Sequence, residues 1–191
     1  MACAVKQYSR LNQLADRGGI VILGGSADLQ LPLGELQQAF SLEDRIYNRS
    51  LEDLTLAEAP AAFDAWAAPL APEALLLHLG EADRTLFARD PASFEHAYRS
   101  LIAAVRSRLP HCRIALVSLR GPDSDGINRC LKHLSSSEGC VFGDINTRRV
   151  WNPKSTRDTA DFLYSLGLVR SPGVSRPLED LTALLYTDLE S

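Results

Sequence analysis

The chain has 191 residues, of which 46% are hydrophobic and 23% charged, as is ordinary for a soluble globular protein. That length predicts a single domain over residues 1–191 with a sizeable core. The net charge of −4 argues against a nucleic acid or an anionic membrane surface as a partner. We find no apolar run of about 18 residues that would predict a membrane span, and no apolar segment typical of a secretory signal near the N-terminus.

The cysteine pattern predicts a protein of the cytoplasm. Cys3, Cys112, Cys130 and Cys140 show no CxxC spacing, and without an export signal we expect thiols rather than disulfides or metal ligands. No P-loop, GxGxxG or metal-ligand spacing is present, so we expect neither a cofactor nor a metal. A small-molecule ligand such as an acyl ester, and a homo-oligomer, stay open as partners.

Hydrophobic periodicity predicts helices alternating with strands along the chain. A helical lead-in over 5–17 precedes a first strand at 19–24, and a helix lies within 30–40. A short second strand at 45–48 comes next, then a helical pattern over 54–66 that Pro60 either starts or kinks. The third strand is expected at 74–79, a helix capped by Asp90 at 91–109, and the fourth strand at 113–118. A helix at 124–136, a fifth strand at 140–145 and helices at 155–166 and 177–188 complete the prediction.

The predicted strands are continuous apolar runs, which is typical of a parallel sheet covered on both faces. Five of them predict an α/β three-layer sandwich with a flavodoxin-like five-stranded parallel sheet in the order 2-1-3-4-5. Ligands bind at the carboxyl ends of the strands in such sheets. After the first strand, Gly24 and Gly25 are expected to let the backbone turn sharply and to leave Ser26 at the strand tip.

Four segments of the chain resemble, in order and spacing, the SGNH (GDSL-type) hydrolases and their platelet-activating-factor-acetylhydrolase-like branch. The similarity covers roughly residues 8–146, and the segments read YSRLNQLADRGGIVILGGS, LGELQQAF, IYNRSLEDLT and LLLHLGEAD. The resemblance implies an ester hydrolase whose nucleophile is Ser26. The family's Gly-Asp-Ser block reads Gly24-Gly25-Ser26 here, so the serine is kept and the aspartate is not.

Other residues that the resemblance assigns to catalysis are replaced. We place Glu52 at a glycine whose N–H donates to the oxyanion in the family, and Ala82 at an asparagine that donates to the same oxyanion. The family's terminal Asp-x-x-His block is matched by Leu166 and Val169, which leaves the serine without its histidine base. The binding residues predicted around Ser26 are Gly25, Asn48, Glu52, Gly80, Ala82 and Asp83, the last of them expected to cap the following turn.

Two substitutes for the missing groups stay open. His78, near the end of the third strand, is either a substitute base or a hydrogen-bonded core histidine. The carboxylates of Asp28, Glu52, Glu81 and Asp83 are expected on the crevice rim, either for acid–base work or as a solvated edge.

Three functions follow from these observations. The first is an inactive or atypical SGNH-fold protein that keeps its crevice for binding. The second is a working esterase that uses Ser26 with a non-standard base. The third is an interaction subunit that uses a helical face around Trp66 or over 177–188.

Overall fold

The computed structural model describes residues 2–29, 31, 33–34 and 45–146. The helices predicted at 155–166 and 177–188, most of the helix predicted within 30–40, and the block at 166–169 lie outside these residues.

The described residues form one sheet of five parallel strands in the order β2-β1-β3-β4-β5, as the sequence predicts. All residues of β1 and β3 are buried, which explains their unbroken apolar sequences. The strands are β1 Ile20–Gly24, β2 Ile46–Asn48, β3 Ala74–His78, β4 Arg113–Val117 and β5 Val141–Gly143. The fold is an α/β three-layer sandwich.

The helices follow the predicted pattern with one addition. Pro60 lies in the first turn of its helix, where its missing N–H is harmless, and Asp90 accepts a hydrogen bond from the Ser93 N–H at 3.1 Å. The sequence did not predict the helix that begins at Arg84, because it buries none of its residues and so shows no apolar stripe. The described helices are α1 Ala2–Leu14, α2 Ala59–Ala62, α3 Arg84–Arg89, α4 Pro91–Arg108 and α5 Asp125–Ser137.

The core packs large side chains against one face of the sheet. Phe94 and Tyr98 of α4 and Phe63 and Trp66 of the π-helical turn Phe63–Ala67 are fully buried in it. Trp66 therefore presents no surface to a partner, contrary to one of the sequence hypotheses. None of the helices within the described ranges is long and apolar enough to cross a membrane.

Strand pairing determines which loops meet at the carboxyl edge. Gly24, the last residue of β1, is in register with His78, the last residue of β3. On its other side β1 pairs with β2, so Ile22 lies opposite Asn48. The segments that follow these three strands therefore converge on one place.

Candidate active site

Ser26 begins a single 3-10 turn, Ser26–Asp28, directly after β1. Its side chain is exposed, and its hydroxyl makes no hydrogen bond with any residue in the described ranges. The turn needs no left-handed backbone, because neither Gly24 nor Gly25 has a positive φ. Instead, a Cβ on Gly24 would lie 1.7 Å from Asp28 Oδ2. Gly24 is required for the close approach of that carboxylate rather than for the sharp turn expected from the sequence.

The structure pairs His78 with Asp28. His78 Nδ1 lies 2.9 Å from Asp28 Oδ1, and the two side chains are 5% and 0% exposed. Asp28 is thus a buried partner of the histidine. The sequence analysis had instead expected it on the crevice rim. The sequence does not show this because the room for the carboxylate depends on the absence of a side chain at Gly24.

The pair favours a protonated imidazole. Burial lowers the pKa of His78, but the Asp28 carboxylate, the charge of Glu81 and a hydrogen bond to the Ser118 backbone outweigh burial and raise it overall above the ordinary value of 6.5. A protonated ring that donates to Asp28 and to Ser118 has both of its nitrogen atoms engaged. Neither of these partners is the Ser26 hydroxyl.

The segment after β2 supports the Ser26 turn. Asn48 Nδ2 donates to the carbonyl oxygen of Asp28 at 2.6 Å, and Asn48 Oδ1 accepts from the Ser50 N–H at 2.9 Å. The side chain of Asn48 therefore holds two backbone segments together. Asn48, one of the predicted binding residues, therefore uses its side-chain amide to support the backbone.

Asp53, and not Glu52, occupies the glycine-like position of this segment. Asp53 has a φ of 53°, the left-handed conformation that favours glycine, and it lines the depression in which Ser26 lies. Glu52 is exposed and lies outside that lining. The assignment of Glu52 to the donor position stays a prediction, and the residue that lines the depression, Asp53, also brings a carboxylate to this segment.

The segment after β3 completes the depression. Gly80 has a φ of 110°, and a Cβ there would lie 3.0 Å from the Phe94 ring. Ala82 lines the depression beside Ser26 and has no donor in its side chain. Asp83 does not cap the helix that follows it; its Oδ2 accepts from the Leu56 N–H at 2.9 Å, which ties this segment to the one after β2.

The depression around Ser26 and a larger cavity beside it both lie at this edge of the sheet. The depression around Ser26 has a volume of only about 10 Å³ and is lined by Gly25, Ser26, Asp53, Leu54, His78, Leu79, Gly80, Glu81 and Ala82. A cavity of about 610 Å³ lies beside it, between the segments that follow β3 and β4, and shares Glu81 with it. We call it the Arg84 cavity, because Arg84 donates to the carbonyl oxygens of Arg120 at 2.7 Å and of Pro122 at 2.9 Å on its wall.

The remaining polar groups at this edge form turns. Asp144 Oδ1 accepts from the Asn146 N–H at 2.9 Å and from the Ser118 hydroxyl at 3.2 Å. Within the described ranges, no group of three or more histidine, cysteine or carboxylate side chains is arranged to hold a metal ion.

Comparison with known proteins gives similarity of structure only. No family model matches the chain, and no curated protein matches it by sequence. A GDSL-like lipase from Bacteroides thetaiotaomicron aligns over 97% of this chain and 98% of its own, with a TM-score of 0.58 and 12% identity. The esterase EstA from Pseudoalteromonas sp. aligns over 78% of this chain and 96% of its own, with a TM-score of 0.62 and 16% identity.

A third similar structure is described as a platelet activating factor from Streptococcus pneumonia. It aligns over 94% of this chain and 91% of its own, with a TM-score of 0.58 and 16% identity. At sequence identities this low, structural similarity shows a shared fold and does not show a shared activity. The strand order, the position of Ser26 after β1 and these structural neighbours together show that the chain has the SGNH (GDSL-type) hydrolase fold.

Proposed function

We propose that this chain is an atypical SGNH-fold protein that does not hydrolyse esters and uses the carboxyl edge of its sheet to bind a small molecule. The observation that carries the proposal is the state of His78. It is the histidine nearest to Ser26, and it is hydrogen-bonded to Asp28 and to the Ser118 backbone. A serine hydroxyl without an adjacent base is a weak nucleophile.

The surroundings of Ser26 also oppose the chemistry of acyl transfer. The tetrahedral intermediate carries a negative oxygen that needs hydrogen-bond donors, and losing one such donor costs about 10²- to 10³-fold in rate. Ala82 offers no side-chain donor, and the carboxylates of Asp53 and Glu81 line the same depression. Two negative charges near a developing oxyanion would raise the barrier further.

A binding role has room in the Arg84 cavity. Its volume of about 610 Å³ lies within the range of roughly 300–1,000 Å³ that is usual for small-molecule sites. The wall combines apolar side chains, Phe87 and Ile127, with two arginines, Arg84 and Arg120, and two acidic residues, Glu81 and Asp123. This lining suits a small molecule with an apolar body and polar groups.

One observation favours the second candidate, a working esterase. His78 and Asp28 are paired through Nδ1, which is how an aspartate orients the base of a serine hydrolase, and His78 lines the same depression as Ser26. In this version Ser26 would be the nucleophile and His78 its base. The ring would have to give up its bond to Ser118 and lose a proton to act.

Hydrolysis of short acyl esters separates the two candidates. The wild-type chain and Ser26→Ala are assayed side by side with p-nitrophenyl acetate and butyrate. The proposal predicts equal rates, because Ser26 takes no part in any background hydrolysis. A wild-type rate that exceeds the background and is lost in Ser26→Ala, with His78→Gln equally inactive, would establish the esterase instead.

A further inference from the structure

A further cavity lies at the amino edge of the sheet, opposite the edge that carries Ser26. It has a volume of about 500 Å³ and is lined by residues 71–73, which lead into β3, and 108–113, which lead into β4. A strand rises about 3.3 Å per residue, so Ala74 at the start of β3 lies roughly 13 Å from His78 at its end. We call this the amino-edge cavity, and it is separate from the depression and from the Arg84 cavity.

Backbone hydrogen bonds hold both walls of the amino-edge cavity. The Gly18 N–H donates to the Leu70 carbonyl oxygen at 2.7 Å, just before the first wall. The Glu73 N–H donates to the Gly19 carbonyl oxygen at 2.9 Å. The Arg113 N–H donates to the Glu73 carbonyl oxygen at 2.9 Å and so joins the two walls. The cavity is therefore built from fixed backbone, as is usual for small-molecule sites.

Proline turns supply much of the apolar lining. α4 ends two residues before Pro110, which cannot continue a helix. Pro72 follows Ala71, whose φ of 47° turns the chain into β3. Pro72 is buried, and the half-buried Leu109 packs against the core. An apolar group that entered this cavity would therefore lose contact with water.

The charged groups of the lining leave a small positive excess. Arg108 and Arg113 lie on one wall and Glu73 on the other, so the carboxylate offsets one of the two guanidinium charges. The carboxyl end of α4 adds about half a negative charge, and His111 adds positive charge only when it is protonated. Within the described ranges Arg108 makes no hydrogen bond or ion pair, so its N–H groups can donate to a ligand.

We propose that the amino-edge cavity binds a small carboxylic acid with an apolar body. The carboxylate would accept from the Arg108 guanidinium, a pairing whose planar geometry allows two parallel hydrogen bonds, and the apolar part would pack on Leu109 and Pro72. A single negative charge matches the small positive excess better than a doubly charged phosphate does. The proposal does not rest on the function proposed for the carboxyl edge.

An NMR titration of the full chain tests the site and the ligand class together. The probes are 4-phenylbutyrate, 4-phenylbutan-1-ol and 4-phenylbutylamine, which share one apolar body and differ in charge. We expect saturable shifts of the amide signals of Ala71, Glu73 and Cys112, and a dissociation constant for the carboxylate about fivefold below that of the alcohol. The amine should bind most weakly. No saturable shift, largest shifts at Gly80 and Ala82 instead, or an alcohol or amine that binds as tightly as the carboxylate would overturn the proposal.

Arg108→Gln tests the charge that the proposal assigns to the ligand. Arg108 is exposed at the end of α4, so the variant should fold as the wild type does. Its dissociation constant for 4-phenylbutyrate should rise about fivefold, to the level of the alcohol, while binding of the alcohol stays unchanged. Arg89→Gln removes an exposed arginine at the end of α3, outside the lining, and should bind as the wild type. Equal affinities of the wild type and Arg108→Gln for 4-phenylbutyrate would refute the assignment.

Discussion

The two sides of the Ser26 turn differ in how their polar groups are used. Beneath the turn, Gly24, Asp28 and His78 are buried and closely packed, and the Asp28–His78 hydrogen bond ties the turn after β1 to the end of β3. Above it, Ser26 is exposed and lines one depression together with Asp53 and Ala82. The buried side holds the turn that carries Ser26, and the exposed side carries the residues that, in the proposed function, do not support catalysis. The proposal therefore separates holding the serine in place from activating it.

The largest expected effect is that of Gly24→Ala, on the buried side. The new methyl group would displace the Asp28 carboxylate from its place, since the added Cβ would lie 1.7 Å from Oδ2. Breaking a buried ion pair costs about 3–5 kcal/mol, which lowers the melting temperature by roughly 10 °C in a chain of this size. Thermal unfolding followed by circular dichroism measures this change.

Gly25→Ala is the matched control for that prediction. An added Cβ at Gly25 meets nothing within 4 Å, and the φ of −97° suits any residue. We expect its free energy of unfolding to change by less than about 1 kcal/mol. Equal losses of stability in the two variants would show that Gly24 is not needed to make room for the Asp28 carboxylate.

A smaller effect is expected at Arg49, through which α1 supports the segment after β2. Arg49 is buried, donates from Nε and Nη2 to Asn12 Oδ1 at 2.9 and 2.8 Å, and lies over the rings of Tyr8 and Tyr47. Arg49→Gln should cost about 2 kcal/mol of unfolding free energy, measured in urea, because these charged contacts are lost.

Arg45→Gln provides the comparison for Arg49. The ion pair between Arg45 and Asp16 is exposed, so its loss should cost under about 1 kcal/mol. If the two arginine variants are equally stable, α1 does not support the site in the way the contacts indicate.

A still smaller effect is expected at Asp83, and it depends on the substitution. Asp83→Ala leaves the buried Leu56 N–H without its acceptor and should cost about 1–2 kcal/mol. Asp83→Asn keeps an oxygen acceptor and removes a carboxyl group whose pKa is raised by burial. Its free energy of unfolding should therefore stay close to that of the wild type. Urea denaturation of both variants checks the difference; an Asn variant as unstable as the Ala variant would mean that the charge, and not the hydrogen bond, is needed.

The smallest effect on stability belongs to Ser26→Ala, on the exposed side of the turn. In the described part of the chain the hydroxyl has no hydrogen bond to lose, so the free energy of unfolding should change by less than about 0.5 kcal/mol. A loss above 1 kcal/mol would place Ser26 among the supporting groups and would remove the contrast between the two sides.

The sheet was predictable because a strand buried on both faces is an unbroken run of apolar residues in the sequence. The apolar runs at β1 and β3 give the strands, and their alternation with helices gives the order. α3 was missed because none of its residues is fully buried; Leu86 and Phe87 only pack against the edge of the core. The strand at β5 ends earlier than expected, at Gly143, because Asp144 turns toward the Ser118 hydroxyl.

The site was less predictable because its contacts join residues that are distant in sequence. Asp28 and His78 are 50 positions apart, and their pairing depends on register and on a missing side chain at Gly24. Asp53 was not predicted to line the depression, because a left-handed φ at a residue other than glycine leaves little trace in composition. Ser26 and Ala82, which the resemblance assigns to one site, both line this depression.

The most direct measurement of the central claim is covalent labelling of Ser26 by an ethyl fluorophosphonate, followed by intact mass and peptide mapping. Such reagents report an activated serine irrespective of the substrate's acyl group. The account predicts no adduct on the wild-type chain at concentrations that fully label an active serine esterase run in parallel. A single phosphonyl group on Ser26, absent from Ser26→Ala, would contradict it.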